Sequence, residues 1–221
     1  MSWEIGTGIM PWVYAIGMLI LGFALILLEI LVIPGINIFG ILGFATVCVG
    51  VAFAYDRLGT GAAVGVGLLA VAGTAALVWL LIERIGNGKT TSLGWASGAL
   101  AGLVAITPAC GNLTPIWSIV VGAIAGVLSA LAIGLKYKFG YDDSLDVVGV
   151  HLVAGLWGTI SLGFFATDAG LFVGGGFEQL VVQFVIALVA VIFTAVMTLI
   201  IAFIVKPLGW RVSKEDEDTG I

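Results

Sequence analysis

One histidine stands in an apolar stretch of the second half of this chain, and it is the residue best suited to do chemistry. The stretch from Tyr141 to Gly158 reads YDDSLDVVGVHLVAGLWG, so His151 follows shortly after three aspartates. An ionisable side chain at membrane depth is costly, and by default it marks a pathway for ions or protons. The alternative is a buried imidazole without a function, and the residues alone leave both interpretations open.

Small side chains surround His151 if this stretch forms an α-helix. Residues three and four positions apart lie on one helix face, and small neighbours there leave room for a pore or for another helix. The residues that share the predicted face with His151 are Val147, Val148, Ala154, Gly155 and Gly158.

The polar residues before His151 are expected to support the helix rather than to touch the imidazole. Asp146 is five positions earlier, which places it about 140° around an α-helix. We therefore expect Asp146 and Ser144 to cap the helix and to complement its dipole. Asp142 and Asp143 are interpreted as loop charges that face the lysines preceding them.

The composition of the chain predicts a membrane protein. Of its 221 residues, 61% are hydrophobic and 10% are charged, and the mean hydropathy is +1.24. A span takes about 20 apolar residues, and helices are required because open sheet edges would leave backbone groups unpaired in lipid. We expect an all-α, multi-pass bundle in the cell membrane, with about seven transmembrane helices. The apolar stretches are residues 12–33, 36–55, 61–82, 93–110, 115–135, 147–166 and 178–206.

The basic residues predict the orientation of this bundle, because short loops rich in Lys and Arg stay cytoplasmic. With seven spans, one side of the membrane receives seven of the eight basic residues and the other side receives Arg57 alone. The C-terminus is therefore expected in the cytoplasm and the N-terminus outside. The residues before the first span include Glu4 and no Lys or Arg, so we expect this span to remain in the mature protein rather than to act as a signal peptide.

Small residues at four-residue spacing predict close helix packing in the fourth and fifth spans. Such ladders let helix backbones approach each other in lipid, and they serve contacts within one chain and between chains equally. The ladder residues are Gly94, Gly98 and Gly102 in the fourth span and Gly122, Gly126, Ala130 and Gly134 in the fifth. The last span, 178–206, would measure about 43 Å as one helix, so we expect it to tilt or to project into the cytoplasm.

The remaining patterns argue against an enzyme. We find no Ser-His-Asp or paired-carboxylate arrangement. Residues 88–91, GKTT, imitate the end of a phosphate-binding loop, but Glu83 stands where that motif needs a glycine. Cys48 and Cys110 are interpreted as small buried thiols rather than as a disulfide or a metal pair. We expect no cofactor, no metal site and no nucleic-acid partner.

Three stretches of the second part carry a family resemblance. They are WLLIERIGNGKTTSLGWASGALAGLVAITPACG at 79–111, GYDDSLDVVGVH at 140–151 and KPLGWRVSKEDED at 206–218. In this order and spacing they resemble the C-terminal part of the Amt/Mep/Rh ammonium transporter family, over about residues 79–221. The resemblance implies that these spans correspond to the end of the seventh helix and to the eighth to eleventh helices of an eleven-helix fold.

The resemblance also implies a function for His151. In that family a pair of pore histidines, one from each half, supports conduction of ammonia after ammonium gives up its proton, and the proteins are homotrimers. His151 matches the second-half histidine, and the family's aspartate near the start of that helix maps to Asp146. Ammonium as substrate, the lipid bilayer, and a homotrimer or partner membrane helices follow as expected partners.

The chain also departs from the family's pattern. It has no first-half histidine, so we expect an incomplete transporter. Val148 and Leu152 stand where the family usually has Phe and Gly, and Trp157 is bulkier than the family residue.

The first part of the chain resembles another family. Residues 27–55, LLEILVIPGINIFGILGFATVCVGVAFAY, look like the membrane region of NfeD-like proteins, because an acidic residue precedes Pro-Gly and Phe-Gly-Ile-Leu-Gly follows. We therefore divide the chain into an NfeD-like hairpin (1–58), an ammonium-transporter-like bundle (59–206) and a cytoplasmic tail (207–221). Two other functions stay open: an NfeD-like membrane scaffold or assembly protein, and a fusion fragment without a function of its own.

Overall fold

The computed structural model describes residues 9–31, 38–209, 213, 215 and 216 of the chain. All regular structure in these residues is helical, which confirms the predicted all-α class. The helices are α1 (Ile9–Leu31), α2 (Ile38–Leu58), α3 (Thr60–Asn87), α4 (Ser92–Ile106), α5 (Pro115–Ala132), α6 (Leu135–Phe139), a π-helical turn (Val148–Val153), α7 (Ala154–Phe165), a 3-10 turn (Leu171–Val173), α8 (Glu178–Val205) and a second 3-10 turn (Lys206–Leu208).

The apolar helices agree with the predicted number of about seven. Within the described residues, six helices are long and apolar enough to cross a membrane, and α4 is a shorter apolar helix. With 15 residues, α4 rises about 22 Å, which is less than the hydrocarbon core of about 30 Å. It ends just before Pro108, and the predicted span 93–110 is completed by turns instead of helix.

Helix α3 is the central element of the bundle, because the glycine ladders of α4 and α5 both pack against it. A Cβ atom at Gly102 or at Gly122 would lie 2.9 Å from the carbonyl oxygen of Val71, and one at Gly126 would lie 2.5 Å from that of Ala75. The same Ala75 oxygen is 3.1 Å from the Cβ position of Gly98. Any side chain at these glycines would push the helices apart, so glycine is required by the interhelical distance.

The turn between α3 and α4 is organised by the carboxylate of Glu83. Its Oε1 accepts hydrogen bonds from Trp79 Nε1 (3.2 Å) and from Thr91 Oγ1 (2.9 Å), and its Oε2 accepts one from the Thr91 amide (2.8 Å). Thr91 in turn caps α4, since its Oγ1 accepts from the amide of Gly94 at 2.8 Å. The carboxylate also occupies the space that a Cβ at Gly94 would need. Residues 88–91 therefore form the turn between α3 and α4, and the carboxylate of Glu83 stabilises this turn.

Helices α1 and α2 form a hairpin that packs on α3 and α5. Within the hairpin, a Cβ atom at Gly43 would lie 2.5 Å from the carbonyl oxygen of Gly22. The buried cluster of the hairpin, which includes Val51, also contains Val66 of α3 and Ile119 of α5. The division of the chain at residue 58 stays a prediction, and most of the predicted tail 207–221 lies outside the described residues.

Helix α8 is a single element of 28 residues, as predicted for the last span. At 1.5 Å per residue it is about 42 Å long. Gly163 lets its N-terminal part approach α7, since a Cβ there would lie 2.5 Å from Leu180 Cα. Most of the other α8 side chains are exposed, and Ala187 is its buried residue.

Candidate functional site

His151 lies in a π-helical turn, Val148–Val153, and not in a regular α-helix. A π turn places about one extra residue in each turn of helix, and such turns are frequent at functional sites. The angle of about 140° expected for Asp146 assumed 3.6 residues per turn and does not apply here. The turn continues into α7 without a break in the helical backbone.

The N-terminus of the π-helical turn is capped by Asp143. Its Oδ1 accepts a hydrogen bond from the Val147 amide at 2.7 Å, and its Oδ2 accepts one from the Val148 amide at 2.9 Å. A carboxylate at this place satisfies two amides that have no partner within the helix, and it complements the helix dipole. These two amides therefore bond to Asp143 and not to Ser144 or Asp146, which were predicted to cap the helix. Asp143 itself lies in the loop next to Lys136, as the sequence indicated.

Asp146 supports the same region through an ion pair. Lys136 Nζ lies 2.7 Å from Asp146 Oδ1, and the side chains are 16% and 22% exposed. The same ammonium group donates a hydrogen bond of 3.0 Å to the main-chain carbonyl of Asp143. Asp146 itself has a φ of 56°, a left-handed conformation that aspartate tolerates better than most residues. Lys136 thus ties the loop to the end of the helix pair α5 and α6.

The imidazole of His151 lines a cavity of about 690 Å³ between α4, the π-helical turn with α7, and α8. Three threonines, one from each wall, are the uncharged polar members of the lining: Thr107, Thr159 and Thr194. His151 is the ionisable side chain among the lining residues that the structure describes. The other lining residues are apolar or glycine: Val104, Pro108, Leu152, Gly155, Leu156, Ile186, Ala187, Ala190, Val191 and Ala195.

The predicted face of small residues around His151 is divided between the cavity and the bundle. Gly155 lines the cavity, and a Cβ there would meet only Val104 Cγ1, at 3.8 Å. Gly158 packs against α4, where a Cβ would collide with the main chain of Ala105. Ala154 is fully buried. The sequence predicts free space beside His151. This space is present next to Gly155, whereas α4 occupies the space next to Gly158.

The two bulky residues near His151 lie on different sides of the helix. Leu152 lines the cavity next to the histidine. Trp157 contributes no atom to that lining, and its Nε1 donates a hydrogen bond of 3.0 Å to the carbonyl oxygen of Val121 in α5. Of these two bulky residues, Leu152 is therefore the one that borders the cavity.

The geometry supports proton or hydrogen-bond chemistry on a small molecule in an apolar environment. A neutral imidazole has one donor and one acceptor nitrogen, so it can offer a hydrogen bond to a small molecule or accept one from it. Among the described residues, no group of three His, Cys, Asp or Glu side chains is placed to hold a metal ion. The contribution of the three threonines escaped the sequence analysis, although the spacing of His151, Gly155 and Thr159 by four residues was a usable signal for one of them.

The model of the Ammonium Transporter Family matches residues 35–221. The match extends beyond the stretch 79–221 that carries the resemblance, and it includes α2.

Curated proteins that are similar to this chain include ammonium transporters of two bacteria. The ammonium transporter of Mycobacterium tuberculosis (strain ATCC 25618 / H37Rv) is 50% identical over 160 residues, which cover 66% of this chain and 34% of the relative. The ammonium transporter of Bacillus subtilis (strain 168) is 41% identical over 193 residues, which cover 83% of this chain and 46% of the relative. The chain thus spans between a third and a half of the length of these relatives.

A solved structure with a similar fold is that of Saccharomyces cerevisiae Mep2. It superposes with a TM-score of 0.65 at 24% sequence identity, covering 91% of this chain and 53% of that chain. At this identity the likeness concerns the fold, and it agrees with the helical membrane architecture described above.

Proposed function

Because the chain belongs to the Ammonium Transporter Family, we propose that it takes part in the transport of ammonium across the cell membrane, with His151 as a pore residue. The observation that carries the proposal is the position of His151 on an apolar cavity between α4, α7 and α8. An ammonium cation is far more costly to place among apolar side chains than neutral ammonia is. An imidazole acceptor beside such a path can bind ammonia or take part in the proton transfer that produces it.

The chain spans 34% of the Mycobacterium relative. Transport by this chain without further helices is therefore a separate part of the proposal. The cavity at His151 is open on one side, and α8 offers a long exposed apolar surface. Both features suit further helices, from a homotrimer or from another membrane polypeptide. The predicted orientation, with the C-terminus in the cytoplasm, is supported by the seven-to-one distribution of basic residues.

The test is uptake of labelled methylammonium into vesicles that contain the purified full chain. We expect uptake that the substitution His151→Ala reduces by at least tenfold, because no other lining residue offers a basic nitrogen. Tyr137→Ala is the matched control, because this side chain is 83% exposed and is not among the residues that line the cavity. Absence of uptake by correctly folded wild-type protein would refute transport by the chain alone, and equal uptake by His151→Ala would refute the role of His151.

A second candidate is a membrane scaffold of the NfeD-like type, in which α8 binds partner helices. It is favoured by α8, whose side chains are mostly exposed and apolar. In this case a stable partner is expected in detergent pull-downs, and His151→Ala leaves its recovery unchanged. Loss of the partner on this substitution would contradict the scaffold.

A further inference from the structure

An apolar cleft lies between the last turns of α2 and the beginning of α5. Its volume is about 450 Å³, and it shares no lining residue with the cavity of His151. The lining residues are uncharged, and they come from two segments of the chain. They are Cys48, Val49, Ala52 and Tyr55 of α2, and Thr114, Pro115, Ile116 and Ile119 at the start of α5.

The cleft extends from a membrane boundary into the hydrocarbon region. On α2 it begins at Tyr55, shortly before the helix ends at Leu58, and it reaches Cys48, which lies about 10 Å further along the helix. On α5 it begins at the N-cap residue Thr114 and reaches Ile119. Because spanning helices end near the boundary of the hydrocarbon core, the Tyr55 end of the cleft lies at that boundary and the Cys48 end lies inside the core.

The floor of the cleft is buried, whereas its rims are exposed. Ile119 is 1% exposed and belongs to the buried cluster that joins α2, α3 and α5, and Cys48 packs against this cluster. Val49, Tyr55 and Ile116 are each more than half exposed. The exposed surface of a spanning helix faces lipid in a bilayer, so the cleft is closed at its floor and open to the membrane.

The chemistry of the lining excludes water and ions as stable occupants. A trapped water needs about two to four polar partners, and the side chains here offer only a thiol and two hydroxyl groups. The charged residues next to Tyr55, Asp56 and Arg57, form an ion pair with each other at 2.9 Å. An empty cleft would deprive its lining atoms of dispersion contacts. The occupant that fits is therefore apolar.

The extent of the cleft favours a lipid chain over a partner helix. A spanning partner needs about 20 residues and would follow α2 over its whole length, whereas the cleft is confined to residues 48–55 of that helix. A lipid acyl chain enters the core from the boundary, as the cleft does. Tyrosine is enriched at this level of a bilayer, where its ring contacts apolar groups and its hydroxyl reaches polar ones.

We propose that this cleft is a binding site for one acyl chain of a bilayer phospholipid. The chain lies between Ala52 of α2 and Ile116 of α5, and the ester groups of the lipid lie at the level of Tyr55. The site recognises the chain and not the charge of the headgroup, because its lining is uncharged and Arg57 is already paired. The site does not depend on ammonium, so it is tested without measuring transport.

The test is photochemical labelling of the full chain in phosphatidylcholine nanodiscs. A small fraction of the lipid carries a diazirine in the middle of one acyl chain, and mass spectrometry of peptides locates the adducts after irradiation. We expect adducts per residue in the cleft to exceed those on the exposed α8 residues Val189 and Phe193 by about threefold, because a chain in the cleft has protein on two sides. Replacing phosphatidylcholine by phosphatidylglycerol should change this ratio less than about twofold.

Substitutions at Ala52 test the position of the chain. Ala52→Trp fills the cleft, so its adducts should fall to the level found on α8, and Ala52→Leu, which demands less space, should give a partial decrease. Val189→Trp is the matched control, because it places the same side chain on an exposed surface of α8 and should leave the cleft adducts unchanged. Thermal unfolding of each variant checks that the protein is folded, and Ala52→Leu decides the matter if Ala52→Trp is unfolded.

Three outcomes would overturn the inference. Equal labelling of the cleft and of α8 in the wild type would mean that the cleft holds no chain in preference to the general surface. Unchanged labelling in the folded Ala52 variants would place the chain elsewhere. Labelling that appears with only one of the two headgroups would show that the headgroup and not the chain is recognised. Absence of adducts from the cleft belongs with the first outcome, and it would indicate that a second copy or another segment of this chain covers these residues.

Discussion

The two glycines beside His151 provide the sharpest test of the site, because the structure assigns them opposite environments. A Cβ at Gly155 would face the cavity and meet one side-chain atom at 3.8 Å, which is ordinary contact, whereas a Cβ at Gly158 would collide with the main chain of Ala105. Both residues lie in α7, so their helix propensities are equal. Alanine substitution at the two positions therefore isolates the difference in space.

The two alanine substitutions should change the free energy of unfolding in opposite directions. Glycine inside a helix is less favourable than alanine by about 0.5–1 kcal/mol, so Gly155→Ala should stabilise the protein by about that amount. At Gly158 the same gain is outweighed by overpacking, which costs about 1–3 kcal/mol. Because the obstacle is backbone and cannot rotate away, we expect a net loss of about 2 kcal/mol for Gly158→Ala.

The assay is thermal unfolding of both variants and the wild type in detergent, followed by tryptophan fluorescence at one scan rate. For a chain of this length, 1 kcal/mol corresponds to about 2–4 °C. The melting temperature should therefore rise by about 1–4 °C for Gly155→Ala and fall by about 4–8 °C for Gly158→Ala. Wild-type stability in Gly158→Ala, or a fall in Gly155→Ala, would refute the described position of α7 against α4.

A larger substitution at Gly155 tests whether the substrate passes through the cavity. Gly155→Leu places a larger side chain on the cavity side of α7, where a Cβ meets no backbone atom within 4 Å, so we expect a folded protein whose methylammonium uptake is strongly reduced. Normal uptake by a stable Gly155→Leu variant would show that the substrate does not pass this point.

Three further sets of substitutions test the hydrogen bonds and the ion pair that support the site, by the same unfolding assay. Asp143→Ala removes the acceptor of two amides at the start of the π-helical turn and should cost about 1–3 kcal/mol of stability, with a smaller loss for Asp143→Asn. Equal stability of the wild type and both variants would contradict the capping role of Asp143. A double-mutant cycle of Lys136→Met and Asp146→Asn should give a coupling free energy of about 1 kcal/mol for this partly buried pair, and a value near zero would mean that the pair contributes nothing. Glu83→Ala should cost about 2 kcal/mol of stability, because the buried indole N–H of Trp79 loses its acceptor. Glu83→Gln keeps one oxygen and should cost less. A larger loss of stability in Glu83→Gln than in Glu83→Ala would exclude the hydrogen bonds of Glu83 as the source of this stability.

The positions of the apolar helices could be predicted from the sequence because hydropathy is a local property. The last span, expected at 178–206, is the helix Glu178–Val205, and the fifth begins at Pro115 as expected. The fourth was predicted too long, since apolar residues after Ile106 continue the hydropathy signal although Pro108 cannot continue the hydrogen bonding of the helix.

The residues that support His151 were predicted only in part, because the prediction assumed a regular α-helix with 3.6 residues per turn. Three aspartates precede the histidine within ten residues, and an α-helical count favours Asp146 as the cap. The π-helical turn moves the start of the helix, so that Asp143 meets the free amides and Asp146 meets Lys136 instead. Counting 3.6 residues per turn along one stretch of sequence does not reveal such a local change of helical period.

The sequence by itself determined the class of the protein, the approximate spans, and the presence of an ionisable residue and of glycine ladders within them, because each depends on residue type and spacing along one helix. Only the tertiary structure decided that both ladders meet α3, that Gly155 borders a cavity while Gly158 contacts Ala105, and that an apolar cleft lies between α2 and α5. These features depend on distances between helices that are far apart in the chain, and such distances are set by packing in three dimensions.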